Sequence, residues 1–381
     1  MPTLAANATR MPRSGIRAVM DVAWTIPDVI GLHVGEPSFV TPDHVLDGAR
    51  LALDRHETRY VPNAGILPLR EAIAAKVATH NGITASPGQV VVSAGGMQAL
   101  YLALAASVSR GDEVLVPDPG WPNFAMAVQL LQARPVRYPL RPENGFQPDP
   151  ADLDRLVTAR TRAMIVNSPS NPLGTVLTPA HAEALCRFAD AYDLWLISDE
   201  CYDAITFDVP HVSPAAWDEA GRVLSCFSFS KTYAMTGMRV GYLVAPPKVA
   251  AVTSIMQEPL LSCVNAPAQR AALAALSGGG DFVELMRRTY QERRDKAAAL
   301  LDEAGIGYHL PHGAFYLWLD VRDRCGGDVT DWALRLLNAE HVAVAPGTAF
   351  GPAGAGWARV CLATKDAALL EGLRRLVEFR D

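Results

Sequence analysis

The middle of the chain alternates short, uniformly apolar runs with longer segments of helical periodicity. Runs that are apolar at nearly every position are typical of strands buried on both faces of a sheet. The segments between them repeat apolar residues every three or four positions, as helices that cover a sheet do. The pattern therefore predicts an α/β fold with a mostly parallel sheet covered by helices. The predicted strands are Gln89–Ala94, Asp112–Val116, Ala163–Asn167, Leu194–Ser198, Val223–Ser228 and Met238–Val244.

Two of the intervening helices have clear starting signals. Met97–Ser107 comes directly after Gly95-Gly96, which interrupts the first apolar run. Pro179–Tyr192 follows Thr178. Threonine is a common N-cap, and proline is favoured at the first helical position, so we expect a helix to begin there.

The last hundred residues follow a different pattern. A long helix with dense charge on one side is predicted first, and an apolar strand, a helix, a second strand and a final helix follow it. This order is typical of a smaller α+β unit. These elements are Phe282–Ala304, Ala314–Asp320, Trp332–Asn338, Ala358–Leu362 and Asp366–Phe379.

The length of the chain, 381 residues, predicts more than one domain, since single cores rarely exceed about 250–300 residues. We expect an N-terminal arm with part of a small domain over residues 1–45. A large domain should follow over 46–285, and a small C-terminal domain over 286–381. The first forty residues either join the small domain or reach across a dimer.

Composition narrows the class of protein. The formal net charge of −6 offers no electrostatic attraction to nucleic acid or to an anionic membrane. The sequence contains no signal-peptide pattern and no apolar window long enough to span a membrane. The six cysteines form no C-x-x-C pair and no zinc-binding spacing, so we expect free thiols and no metal site. These features predict a cytoplasmic protein.

A lysine between two predicted strands is the first candidate for chemistry. Lys231 is flanked by Ser228 and Ser230, and Arg239 follows eight residues later. A lysine with a neutral amine can form a Schiff base with an aldehyde. Hydroxyls and a guanidinium are suitable donors to a phosphate. Taken alone, the same residues fit a surface loop with an ordinary solvated lysine better.

Polar residues also follow two of the other strands. Asp199 comes at the carboxyl end of an apolar strand, where ligands of α/β sheets bind, and it could keep a pyridine nitrogen protonated. Asn171 lies in the turn after a neighbouring strand, and it could donate to a phenolate oxygen together with Tyr202. The alternatives are that Asp199 caps the next turn and that Asn171 serves the turn itself.

The Gly95-Gly96 pair provides a third candidate. A strand, two glycines and a helix N-terminus come in order, so backbone N–H groups from Gly95 to Met97 could bind a phosphate. Trp121, which follows Pro119-Gly120, could stack on a ring face, although a core tryptophan is an equal alternative.

Taken in order, these segments resemble the aspartate/aromatic aminotransferases, which belong to class I/II of the pyridoxal-5′-phosphate (PLP) enzymes of fold type I. The stretch Ser230-Lys231 to Gly241 is similar to the Ser-Lys-x-x-x-Met-x-Gly-x-Arg-x-Gly motif of the bacterial subgroup. The resemblance extends from Gly35-Glu36-Pro37 through Tyr60 to Arg359 and covers nearly the whole chain.

The resemblance implies a large domain with a mostly parallel seven-stranded sheet, a smaller α+β domain and a homodimer with shared active sites. It implies amino-group transfer between an L-amino acid and a 2-oxo acid, by ping-pong chemistry through an aldimine of Lys231, within amino-acid metabolism. Lys231, Asp199 and Tyr202 would be catalytic. The implied cofactor-binding residues are Gly95, Gly96, Met97, Trp121, Asn171, Asp199, Tyr202, Ser228, Lys231, Arg239 and Tyr60, the last reaching a phosphate in the other subunit. The implied substrate-binding residues are Gly35, Asn171, Arg359 and Ile16, with Arg359 on the α-carboxylate.

The sequence departs from the family pattern at positions that bear on the substrate. Met97 replaces a lysine that binds the side-chain carboxylate in aspartate-type relatives, and Leu260 falls near a position where other relatives have an arginine. Without these cations a buried carboxylate is costly, so we expect an uncharged or unusual side chain in one half-reaction. Glutamate and 2-oxoglutarate can still serve in the other. Val264 falls near a serine that helps to bind phosphate across the dimer.

Three alternative functions are weighed against transamination. Related PLP enzymes catalyse β-elimination, decarboxylation or cyclisation with the same lysine and aspartate, and the sequence leaves these open. A non-catalytic PLP-binding regulator is disfavoured because the first forty residues lack a helix-turn-helix pattern. A nicotinamide-dependent oxidoreductase is disfavoured because G-x-G-x-x-G is missing.

Overall fold

The apolar runs in the middle of the chain form one seven-stranded sheet in the computed structural model, which describes residues 2–9, 11–12 and 15–380. The strands of the described residues are β1 Ile30–Gly31, β2 Val90–Ser93, β3 Glu113–Asp118, β4 Arg134–Pro139, β5 Thr161–Asn167, β6 Trp195–Asp199, β7 Val223–Ser228, β8 Gly241–Val244, β9 Tyr308–His309, β10 Tyr316–Asp320, β11 Val342–Ala343, β12 Ala345–Pro346 and β13 Trp357–Cys361.

The helices cover this sheet and connect it to the rest of the molecule. They are α1 Ala6–Thr9, α2 Gly15–Ala23, α3 Asp43–Asp54, α4 Leu67–Asn81, α5 Gly96–Ser107, α6 Pro122–Leu130, α7 Pro150–Asp154, α8 Pro179–Ala191, α9 Phe229–Thr232, α10 Pro247–Leu260, α11 Ala266–Ser277, α12 Asp281–Glu303, α13 Val329–Glu340 and α14 Asp366–Glu378. The predicted cap of α8 is present, since Thr178 Oγ1 accepts a hydrogen bond from the His181 N–H. No helix of the described ranges is long and apolar enough to span a membrane.

The strand order of the large sheet is β2-β8-β7-β6-β5-β3-β4. Strands β3 to β7 run parallel, and β8 lies antiparallel between β2 and β7. The α/β fold with a mostly parallel sheet is therefore confirmed. Because the carboxyl ends of β5, β6 and β7 meet at one edge, the residues that follow these strands lie close together.

Helices pack on both faces of this sheet, and residue alternation along the strands determines which helix each side chain contacts. On β2, Val91 joins a cluster with Leu100 and Leu104 of α5, whereas its neighbour Val92 joins a cluster with Ile73 of α4. Helices α3 and α11 lie against the second cluster. Burial on both faces explains why these strands are apolar at every position.

The small antiparallel sheet has the order β12-β13-β10-β9. Long helix α12 and the last helix α14 pack together and contribute to the core of this part, around Phe315 and Trp332. The N-terminal segment joins it, because β1 pairs in parallel with β11. After this pairing the chain continues through Gly35 to the edge of the large sheet, where Lys231 donates a hydrogen bond to the Gly35 carbonyl.

Two strands of the large sheet differ clearly from the prediction, and the two-residue strands β1, β9, β11 and β12 were not predicted either. Strand β4 was not predicted: Arg134–Pro139 includes two prolines and two arginines, and it forms an edge of the sheet, where such residues are tolerated. Strand β8 begins at Gly241, three residues later than predicted. The reason is a 3₁₀ turn over Thr236–Met238, followed by Arg239 in the left-handed region with φ of 55°.

Candidate active site

A cleft of about 450 Å³ lies at the carboxyl edge of the large sheet and brings most of the predicted site residues together. Its walls come from the ends of β5, β6 and β7, the start of α5 and α6, the N-terminal segment and the small sheet. Twelve of the predicted residues line it, namely Ile16, Gly35, Gly96, Met97, Trp121, Asn171, Asp199, Tyr202, Ser228, Lys231, Arg239 and Arg359. Two others, Gly95 and Tyr60, do not line it.

Asp199 is the last residue of β6, and its carboxylate is buried at the floor of the cleft. Its Oδ1 accepts a hydrogen bond of 3.3 Å from the Cys201 N–H. Burial raises the pKa of Asp199 to about 6. A carboxylate in this position, which forms no ion pair with a described residue, favours a cationic group from a ligand.

Lys231 belongs to a four-residue helix, α9, that begins immediately after β7. Its Nζ donates a hydrogen bond of 2.7 Å to the Gly35 carbonyl. Burial lowers the pKa of Lys231. A lower pKa increases the neutral fraction of the amine, which is the form that reacts with an aldehyde.

The anion-binding end of the cleft is formed by the start of α5 and the guanidinium of Arg239. A Cβ atom at Gly95 would lie 2.4 Å from Arg239 Nη2, so glycine is required for this close approach. Gly95 therefore lies behind the wall and supports Arg239. The free N–H groups at the start of α5 and the Ser228 and Ser230 hydroxyls complete a set of donors suitable for a phosphate.

Arg359, on β13, is the second guanidinium that lines the cleft among the described residues. Its Nη1 donates to Asn171 Oδ1 at 2.7 Å and its Nη2 donates to the His33 carbonyl at 2.5 Å. The guanidinium lies 4.3 Å from the ring centroid of Tyr316 and 4.9 Å from that of Phe350. Its Nε–H is buried and has no hydrogen-bond partner among the described residues. The residue lines the cleft, so its charge is available to a carboxylate there.

Several residues of the cleft were not predicted from the sequence. Tyr316 contacts Tyr202, and the two hydroxyl oxygens are 2.8 Å apart. His33 lies beside Arg359, and burial together with that charge lowers the pKa of the imidazole to about 4, so it is neutral at pH 7. These residues come from the small sheet and from the segment after β1, which carry no recognisable motif at these positions.

One part of the cleft lining is apolar apart from one amide. Met97 and Trp121 line it, as do Ile16 and Met20 of α2. Asn123 completes this wall, and its Nδ2 lies 3.8 Å from the sulfur of Met97. The lysines and arginines that line the cleft among the described residues are Lys231, Arg239 and Arg359.

Tyr60 lies on the surface, outside the cleft, with 88% of its area exposed. It borders a separate groove together with Leu53 and with Cys263, Val264 and Asn265. Leu260, which comes just before this segment, is also exposed. Within one chain, Tyr60 therefore contacts none of the groups that line the cleft.

Comparison with known proteins assigns the chain to a class of enzymes. The family described as Aminotransferase class I and II matches residues 27–376. The aromatic-amino-acid aminotransferase 2 of Thermococcus litoralis is 39% identical, over 95% of this chain and 94% of that protein. The aspartate/prephenate aminotransferase of Thermus thermophilus is 38% identical, over 91% and 90%. The structure of Thermus thermophilus aspartate aminotransferase with maleate superposes with a TM-score of 0.94, at 36% identity and 99% coverage of both chains.

The chain therefore belongs to the class I and II aminotransferases. It is an enzyme that transfers amino groups between amino acids and 2-oxo acids, and its cofactor is PLP, as in the rest of the family.

The described residues fit this cofactor. Buried Asp199 suits a protonated ring nitrogen, and Lys231 has the lowered pKa that an aldehyde-binding amine needs. Gly95 leaves room for the Arg239 guanidinium at the phosphate end. The charge of Arg359, which lines the same cleft, suits the carboxylate of a second ligand.

Proposed function

We propose that the cleft binds PLP through the residues predicted from the sequence, and that its amino-acid substrate has an uncharged side chain. The observation that carries the proposal is the convergence of Lys231, Asp199 and Arg359 on one cleft, because these residues come from three distant parts of the chain. When bound, PLP acts as the electron sink for charge that develops at the substrate Cα.

In this proposal the cofactor ring is held from several sides. Asp199 keeps a proton on the ring nitrogen, and Tyr202 and Asn171 donate hydrogen bonds to the ring oxygen. The indole of Trp121 stacks on one face. The phosphate would be bound at the start of α5 by the N–H groups of Gly96 and Met97, by the Ser228 hydroxyl and by the Arg239 guanidinium. The N–H of Gly95 donates to the Ser93 carbonyl instead, so Gly95 contributes by leaving room for Arg239.

Lys231 would hold the cofactor through its aldehyde group, and its free amine would take a proton from, or return it to, the substrate Cα. The Gly35 carbonyl, 2.7 Å from Nζ, is an acceptor that can orient the free amine. Arg359 and the backbone of Gly35 bind the substrate α-carboxylate, and Ile16 borders its side chain. A planar guanidinium fits a carboxylate with two parallel hydrogen bonds, which lysine cannot provide.

The proposed preference for a substrate with an uncharged side chain follows from the positions of the positive charges in the cleft. Lys231, Arg239 and Arg359 all have other roles in this proposal, so the wall formed by Met97, Asn123 and α2 supplies no cation from the described residues of this chain. Burying a carboxylate against a wall without a cation is unfavourable.

The proposal includes a homodimer. Exposed Tyr60 and its groove support an interface in which the tyrosine hydroxyl reaches the phosphate of the partner subunit. It also includes the division into residues 1–45, 46–285 and 286–381, which the separate large and small sheets support. A cytoplasmic location is supported by the six cysteines, each of which is a free thiol.

The visible absorption of the purified holoenzyme tests this proposal. Wild type should absorb in the range of about 360–430 nm, and an amino donor should shift the band toward roughly 330 nm. After borohydride reduction and removal of free PLP, wild type and Lys248→Ala, which removes an exposed lysine of α10, should retain covalently bound cofactor, whereas Lys231→Ala should not. A wild-type protein that stays colourless after PLP is added would contradict the binding of the cofactor.

The same assay ranks the substrates. Apolar and uncharged polar amino acids should convert the band faster than aspartate at equal concentration. Release of ammonia and a 2-oxo acid from the donor, without an amino acceptor, would instead indicate β-elimination by the same cleft. Formation of a new amino acid from 2-oxoglutarate indicates transamination.

A further inference from the structure

Tyr316 contacts three parts of the cleft, although it does not belong to any of the motifs recognised in the sequence. It lies on β10 and only 1% of its surface is exposed. Its hydroxyl oxygen is 2.8 Å from that of Tyr202, and the two rings pack edge to face with 5.8 Å between centroids. The contact joins the small sheet to the loop that follows β6.

The other side of Tyr316 faces the substrate-binding groups. Its ring centroid lies 4.3 Å from the guanidinium carbon of Arg359. A Cβ atom at Gly35 would lie 2.0 Å from the Tyr316 hydroxyl, so the backbone at Gly35 passes directly over it. One side chain therefore touches the residue proposed to bind the ring oxygen and both of those proposed to bind the carboxylate.

A phenol hydroxyl carries one hydrogen, and this limits what the Tyr202–Tyr316 pair can do. If Tyr202 donates to Tyr316, its hydrogen is used and it can only accept from a ligand. If Tyr316 donates to Tyr202, the Tyr202 hydrogen stays free to bind an oxygen in the cleft. The second arrangement is the one that a donor to the cofactor ring oxygen requires.

We propose that Tyr316 is a positioning residue whose hydroxyl donates to the Tyr202 oxygen and thereby directs the Tyr202 hydrogen toward the cofactor ring oxygen. This inference rests on the proposed function, since it assigns the Tyr202 hydrogen to PLP. The simpler alternative is that Tyr316 only fills the core around Phe315, of which it is a part.

The pH dependence of the visible band separates these two roles. A hydrogen bond to the ring oxygen draws electron density from it and lowers the proton affinity of the nearby Lys231 nitrogen. Its loss should therefore raise the midpoint of the spectral titration. Tyr316→Phe keeps the ring and removes the hydroxyl that donates to Tyr202. Tyr202 then keeps its bond to the ring oxygen but is a weaker donor, so we expect an upward shift of about 0.2 pH unit, since linked hydrogen bonds strengthen one another by roughly 10–30% and a full bond to a charged group corresponds to about one pH unit.

A matched control is available in the same core. Tyr290 is also fully buried and packs against Phe315, but it does not line the cleft. Tyr290→Phe removes a buried hydroxyl of the same kind, and its holoenzyme should titrate as wild type. A shift of equal size in both variants would overturn the proposal, because general loosening of the core would then explain it.

A double-mutant cycle tests whether Tyr316 acts through Tyr202. Tyr202→Phe alone should raise the titration midpoint, and Tyr202→Phe combined with Tyr316→Phe should raise it no further. Additive shifts would mean that Tyr316 influences the cofactor independently, and the proposal would be wrong. A Tyr316→Phe holoenzyme that titrates as wild type would also refute it.

A second substitution checks the ring contact with Arg359. Tyr316→Leu removes hydroxyl and ring together, and beyond the titration shift it should raise the KM for the amino donor about tenfold, the scale of a desolvated cation–π contact. Tyr316→Phe should leave this KM nearly unchanged. Failure of the proposed function would appear differently, since wild type itself would then lack the visible band.

Discussion

Replacement of Arg359 by lysine removes a planar donor from a site built around its shape. The guanidinium uses Nη1 and Nη2 to bind Asn171 and the backbone of His33, and it lies between the rings of Tyr316 and Phe350. The residue lines the cleft, where the proposed function assigns it the carboxylate of the ligand. An ammonium keeps the charge but cannot reach both acceptors and a carboxylate with a fixed geometry.

The size of the effect follows from the bonds that are lost. One hydrogen bond to a charged group is worth about 1.5–3 kcal/mol, which corresponds to roughly 10- to 150-fold in binding. Because the carboxylate is bound both before and during the reaction, the loss should appear mainly as a higher KM, with a smaller change in kcat. Arg359→Lys should therefore lower kcat/KM for the amino donor about 10- to 150-fold.

The assay is a single-turnover measurement of the loss of the visible band at increasing amino-acid concentration. Arg293→Lys is the control, because Arg293 is also buried and bonded to Asp366 and Ser38, but does not line the cleft. It should lower stability and leave the apparent dissociation constant unchanged. An Arg359→Lys enzyme that saturates at the wild-type concentration would refute the assignment of the carboxylate to this residue.

Three further predictions concern the cofactor and the side chain of the substrate. Burial raises the pKa of Asp199 from 3.8 to about 6, so the neutral carboxyl should stabilise the folded apo-protein below about pH 4. About 3 kcal/mol of the free energy of unfolding should be lost as the pH rises through 6. Denaturant unfolding of apo wild type and Asp199→Asn should show this as a pH-dependent difference, and a constant difference would contradict it. Met97→Lys should form a new ion pair with the side chain of aspartate and raise kcat/KM for aspartate, relative to an uncharged donor, about 10- to 100-fold. Met97→Leu is the control. An unchanged ratio would show that the wall around Met97 does not contact the substrate side chain. Tyr60→Phe should raise the dissociation constant of PLP about fivefold to tenfold, because it removes one hydrogen bond to the phosphate. Tyr192→Phe, which changes another exposed tyrosine, should leave this constant unchanged. Equal affinities of wild type and Tyr60→Phe for PLP would exclude the contact across the dimer.

The buried strands of the large sheet were predictable because a strand that is buried on both faces consists almost entirely of apolar residues. Val223–Ser228 was predicted with its observed bounds, and β2, β3, β5 and β6 differ from prediction by one or two residues at most ends. Polar residues that follow such strands can be placed at the carboxyl edge from the same pattern. This is why Asp199, Asn171 and Lys231 could be grouped before the fold was known.

The remaining parts of the cleft depend on contacts between distant segments. Tyr316 and His33 lie in apolar surroundings in the sequence, and nothing near them indicates that they meet Tyr202 and Arg359. Edge strand β4 was not predicted because it is only partly buried and therefore lacks a continuous apolar run. Interactions of this kind depend on the packing of the small sheet against the large one, which local periodicity does not encode.

The pairing of β1 with β11 has a consequence for the synthesis of the chain. Residues from Ile30 to His33 bind partners that leave the ribosome about 300 residues later, among them Val342 and Arg359. At about 5–20 residues per second, this segment waits roughly 15–60 s for those partners. A nascent chain that already contains Lys231 and Asp199 therefore still lacks the wall that closes the cleft, and only the last part of translation completes it.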